Sequence, residues 1–90
     1  MTRTQVLAII NEKGLHARAS AKFVEVVEEF DARAWVCRDG MKVSGDSIMG
    51  LLMLAASRGS SIEVITEGPQ AEALAEALRA LVANRFGEDY

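Results

Sequence analysis

The chain has 90 residues, half of them hydrophobic and 6% aromatic, which supports one small core of aliphatic side chains and excludes a deep catalytic cavity. Ten Lys and Arg against thirteen Asp and Glu give a formal charge of -3, with the basic residues scattered, a balance that disfavours nucleic acid as a partner. One cysteine and one histidine exclude an internal disulfide and any metal site made of those residue types alone.

The N-terminus, MTRTQVLAII, lacks the apolar run and cleavage site of a secretory signal, and no segment reaches the roughly 18 apolar residues that span a bilayer. A cytoplasmic location without membrane insertion is expected. Residues 4 to 10, TQVLAII, read as a strand apolar on both faces, ended by Asn11-Glu12-Lys13-Gly14. From Ala17 to about Phe30 the period becomes helical. Phe23, Val24, Val27 and Phe30 share one side, and Lys22, Glu25, Glu28 and Glu29 the other.

RAWVCR and MKVSG flank Asp39-Gly40, a strong hairpin signal because both turn residues tolerate positive φ, and Cys37 reads as a small buried strand residue. Gly45-Asp46-Ser47 offers capping groups to the apolar run IMGLLMLAAS, with Gly59 placed to end that helix. SIEVITE, residues 61 to 67, alternates as a final strand, and Gly68-Pro69 turns the chain. Beyond Pro69, Ala71, Leu74, Ala75, Leu78 and Val82 make a helical apolar stripe with Glu72, Glu76 and Arg79 outside. The predicted order is β-α-β-β-α-β-α over one domain, residues 1 to 90, with helices covering one face of a sheet. The tail from Phe86 to Tyr90 reads as frayed and without function.

Two positions stand out chemically. His16 falls at the N-cap of the first helix, where unpaired amides such as those of Ala17 and Arg18, the helix dipole and the Arg18 guanidinium would all favour a phosphoryl group on the ring. Spacing alone favours a plain surface N-cap with no chemistry, but histidine is not a preferred cap, whereas Ser, Thr, Asp and Asn are, which leaves a role beyond capping open. The run Ile48 to Ala56 is apolar around most of its circumference, so it is either a core helix with Met as filler or, the reading slightly favoured on so small a sheet, a helix that exposes an apolar patch for a partner. Ser47, at the start of that run, is either a plain cap or a position where phosphate would meet the helix dipole.

The sequence resembles the HPr family, the phosphocarrier proteins of the bacterial phosphoenolpyruvate-dependent phosphotransferase system, including its nitrogen-related branch. The matching stretches are GLHAR at 14 to 18, the DG hairpin at 39 to 40, SIMGLL at 47 to 52 and EG at 67 to 68. The resemblance implies an α+β fold, an open-faced β-sandwich with a four-stranded antiparallel sheet in order 1-4-2-3 and three helices on one face. It implies a carrier rather than an enzyme: His16 takes a phosphoryl group from phosphorylated enzyme I on Nδ1 and passes it to an enzyme IIA domain, and Arg18 neutralises phosphate charge. It further implies regulatory phosphorylation of Ser47 by HPr kinase/phosphorylase, docking through Ile48, Met49 and Leu52, no cofactor, and a monomer. Two positions depart from the family pattern: Ala19 where proline is common after the arginine, and Asp46 where many members carry lysine. The competing reading is a regulatory interaction module switched at Ser47, with little flux through His16.

Overall fold

The computed structural model describes all residues from 1 to 90. Seven elements follow the predicted order: β1 (Thr2–Ala8), α1 (Ala17–Glu28), β2 (Arg33–Arg38), β3 (Met41–Ser44), α2 (Ile48–Met53), β4 (Ser61–Glu67) and α3 (Ala71–Ala83), with a short 3-10 turn at Arg85–Gly87. The sheet is antiparallel in order β1-β4-β2-β3. The open-faced α+β sandwich expected from the resemblance is therefore the fold. No helix is long and apolar enough to cross a membrane.

Alternation along the central strand sets the two faces. Ile62, Val64 and Thr66 of β4 turn inward and are buried, as are Ala34 and Val36 of β2 and Leu7 of β1. Against them α1 lays Phe23, Val24 and Val27, and α3 lays Leu74, Ala75, Leu78 and Val82. Each large side chain so buried is worth about 2 kcal/mol of transfer free energy. Thr66, wholly buried, escapes a desolvation penalty because its hydroxyl donates to the Ala71 carbonyl at 2.9 Å, tying β4 to the start of α3.

The hairpin forms as its turn chemistry requires. Asp39 and Gly40 both have positive φ, 50° and 81°, the conformation whose twist matches the flanking strands.

Six local expectations are corrected. β1 begins at Thr2 and ends at Ala8, and it is not buried on both faces: Val6 is 67% exposed on the uncovered side of the sheet. Cys37 shares that uncovered side and is only half-buried. α1 stops at Glu28, not Phe30, and α3 starts at Ala71 with Gln70 as its cap, after Pro69. α2 is the largest miss, ending at Met53 because Ala55 takes positive φ (49°) and turns the backbone out of the helix. Gly59 then serves a separate turn, its amide donating to the Ile9 carbonyl at 2.9 Å.

Candidate functional site

The loop from Ile9 to Leu15 presents the single histidine. Gly14 has φ +64° and lies so close to the chain after α2 that an added Cβ would sit 2.5 Å from the Ala56 carbonyl oxygen. That same carbonyl accepts the Leu15 amide at 2.8 Å, and the Leu15 side chain is buried, so the residue before the histidine is fixed from two sides. His16 is the N-cap of α1, as predicted, and its carbonyl accepts the Ser20 amide at 2.8 Å. Its ring makes no capping bond. The amides of Ala17 and Arg18 therefore open the helix without an intrahelical acceptor, at the positive end of its dipole.

The ring is instead held by a residue that the sequence left unassigned. His16 Nε2 donates to Glu88 Oε2, a carboxylate side chain only 14% exposed, while the imidazole is 26% exposed. A carboxylate only accepts, so Nε2 carries a proton, and in the neutral tautomer the lone pair is then on Nδ1. The other Glu88 oxygen accepts from Asn11 Nδ2 at 3.0 Å, and the same amide nitrogen donates to the Gly14 carbonyl at 2.8 Å. Asn11 is wholly buried and its Oδ1 has no partner. Burial by itself would raise the Glu88 carboxyl. The hydrogen bonds from Asn11 and His16, with the positive charge of Lys13 nearby, outweigh burial and hold it below the ordinary glutamate range.

The tail is thus not frayed. Phe86 is fully buried with positive φ (54°), Lys22 Nζ donates to its carbonyl at 2.7 Å, and the Glu12 amide donates to the Tyr90 carbonyl at 3.0 Å. One signal was legible, an aromatic inside an otherwise polar terminal stretch. That Glu88 would meet a histidine 72 positions earlier was not, because the pairing is made by the fold.

Arg18 is exposed and has no ion-pair partner; with Lys13, Lys22 and Glu88 it lines a shallow depression between the start of α1 and the tail. Its guanidinium is uncommitted and available to an incoming anion. Ser47 caps α2, its hydroxyl accepting the Gly50 amide at 3.0 Å, while the neighbouring Asp46 carboxylate accepts from the Ser44 hydroxyl at 2.6 Å. Behind it, Ile48 and Met49 are exposed by 41% and 70%, Met53 by 62%, and Leu52 is half-buried. Met53, which the sequence reading did not single out, belongs to this patch more fully than Leu52. α2 packs on α1, so the patch and the histidine belong to the same helical layer.

A four-stranded open-faced sandwich with a single histidine at the N-terminus of its first helix is the architecture of the small phosphocarrier proteins. The chain belongs to the HPr family of the phosphotransferase system: residues 3–84 match the family model described as PTS HPr component phosphorylation site. It is 49% identical over 80 residues to the phosphocarrier protein HPr of Cupriavidus necator, covering 89% of this chain and 90% of that one. It is 39% identical over 90 residues to the phosphocarrier protein NPr of Escherichia coli, covering 99% of this chain and all of that one. Among solved structures it superposes on an HPr from Thermoanaerobacter tengcongensis with TM-score 0.92 and 36% identity, covering 98% and 99% of the two chains.

Proposed function

We propose that His16 is the phosphoryl acceptor and donor of a relay, taking the group on Nδ1 from phosphorylated enzyme I and passing it to an enzyme IIA domain. The observation that carries this reading is the bond from His16 Nε2 to Glu88, which leaves Nδ1 as the ring's free lone pair beside the open amides of α1. In the forward step the Nδ1 lone pair forms the new N–P bond as the donor's bond to phosphorus breaks, its electron pair staying with the donor. The amides of Ala17 and Arg18 and the Arg18 guanidinium receive the phosphoryl oxygens. Chemistry is completed by the partner's active site, so the protein acts as a carrier and not as an enzyme. A soluble monomer in the cytoplasm, presenting one face in turn to donor and recipient, fits this role.

Incubation with a related enzyme I and phosphoenolpyruvate is expected to add one acid-labile phosphoryl group to the wild type and none to His16→Ala, read by intact mass before and after acid. An unlabelled wild type beside an active enzyme I, or a labelled mutant, would falsify the relay.

The exposed side chains Ile48 and Met49, with Leu52 beneath them, form the docking surface in this reading. Met49→Asp places a charge at the most exposed of the three and is expected to raise the KM for enzyme I about tenfold or more, with thermal stability unchanged. An unchanged KM would move the docking site elsewhere. Ser47 is the regulatory position: a phosphate there adds up to two negative charges beside that surface, as HPr kinase/phosphorylase would supply. The position of Ser47, a half-buried cap beside the exposed Ile48 and Met49, supports the second reading, a regulatory module switched there with little flux through His16. Retained partner binding by a wild type that enzyme I does not label would select it.

A further inference from the structure

We propose that Glu88, held by Asn11, is a positioning residue that keeps a proton on Nε2 of His16 through the whole phosphoryl cycle, so that the ring both attacks and departs as neutral imidazole. The proposal rests on the carrier reading above and specifies how its histidine is prepared.

The geometry leaves the Glu88 carboxylate little choice of partner. One oxygen is occupied by the Asn11 amide, which the Gly14 carbonyl fixes in turn, and the other faces Nε2. The backbone around it is tethered on both sides, by buried Phe86 and its Lys22 contact before it and by the bond from the Glu12 amide to Tyr90 after it. A side chain only 14% exposed loses more on reorientation than a surface glutamate would, and here it is held by contacts to the loop after β1 and to the start of α1.

The chemical consequence follows from electron and proton counting. When Nδ1 attacks phosphorus while Nε2 keeps its hydrogen, the product ring carries a positive charge, which the Glu88 carboxylate offsets. When the group is passed on, the Nδ1–P bond breaks and its electron pair returns to Nδ1, giving neutral imidazole with the proton still on Nε2. Without that proton the leaving group would be an imidazolate anion, far poorer. No external base or acid is needed in either direction. The other charged groups lining the depression that Glu88 borders are Lys13, Arg18 and Lys22 and the carboxylates of Glu12 and Asp89. None of them is hydrogen-bonded to Nε2, so the effect belongs to Glu88.

Two measurements test this on the full chain. Imidazole nitrogen and proton NMR of the unphosphorylated protein is expected to show a slowly exchanging Nε2 proton in the wild type, retained in Glu88→Gln and lost in Glu88→Ala. This readout needs no enzyme I, so it separates failure of the positioning role from failure of the carrier reading.

Second, each protein is phosphorylated chemically with phosphoramidate and its hydrolysis followed at pH 8. Loss of the phosphoryl group is expected to slow about tenfold in Glu88→Ala, the change in proton occupancy that follows removal of one bonded carboxylate. Glu88→Gln, neutral but still an acceptor, should fall between. Equal lability in all three proteins overturns the proposal whether or not the Nε2 proton is seen, and so does a wild type with no held proton. A merely structural tail would alter stability without changing the lability of the N–P bond.

Discussion

A Gly14→Ala chain is expected to lose about 3 kcal/mol of stability and most of its capacity to be phosphorylated, the first measured by urea unfolding and the second by enzyme I-dependent labelling. Two costs combine at this position. Positive φ (+64°) charges any Cβ with a backbone penalty of about 1–2 kcal/mol, and the added carbon would stand 2.5 Å from one backbone oxygen and 2.9 Å from the Ser57 Cα. Neither neighbour is a flexible side-chain end, so the loop must lift away. Lifting it breaks the bond from the Leu15 amide to Ala56 and shifts the acceptor of Asn11, the two contacts that set where His16 begins its helix. A variant within 1 kcal/mol of wild type that labels normally would show that the approach of residues 14 and 56 does not position the histidine.

Phe86→Ala is expected to cost about 3–5 kcal/mol in the same unfolding experiment, the range for deleting a buried aromatic. The ring is fully buried in the main core although its residue lies in a terminal turn. Its removal should also free the segment that carries Glu88. Hydrogen exchange at residues 86–90 should rise well beyond the global change, and the held Nε2 proton of His16 should disappear. A small loss, under 1 kcal/mol, would mean that the tail docks through Lys22 and Tyr90 alone. The positive φ of Phe86 makes the point sharper, because a bulky residue there is tolerated only when burial outweighs the strain.

Much of this was legible in the sequence, and the misses have two causes, a local reversal of the backbone and contacts made only by the fold. Periodicity placed α1, β4 and α3 to within about two residues because each has one buried and one solvated side, and the Asp39-Gly40 turn fixed the hairpin by local conformational preference. α2 was overdrawn because apolar residues continue past Met53, yet Leu54 is buried as the cap that ends the helix and Ala56 as a loop residue after Ala55 reverses φ. Composition does not report such a reversal. His16 at a helix start could be read from the chain alone; its bond to Glu88 and the role of Asn11 could not. Both depend on contacts across more than seventy positions, and a glutamate near a chain end carries no local sign of burial.

The strand register sets a timetable for assembly. β2 and β3 meet across a two-residue turn and can pair within about 1–10 μs, as isolated hairpins do. The other half of the sheet brings Leu7 opposite Ile62, and that closure carries a loop entropy that local pairing never faces, placing complete folding in about the millisecond range. The single tryptophan, Trp35, stands directly between Ile65 on one flanking strand and Ser44 on the other. Its fluorescence therefore distinguishes the early hairpin from the later docking of the central strand, a reporter already built into the chain.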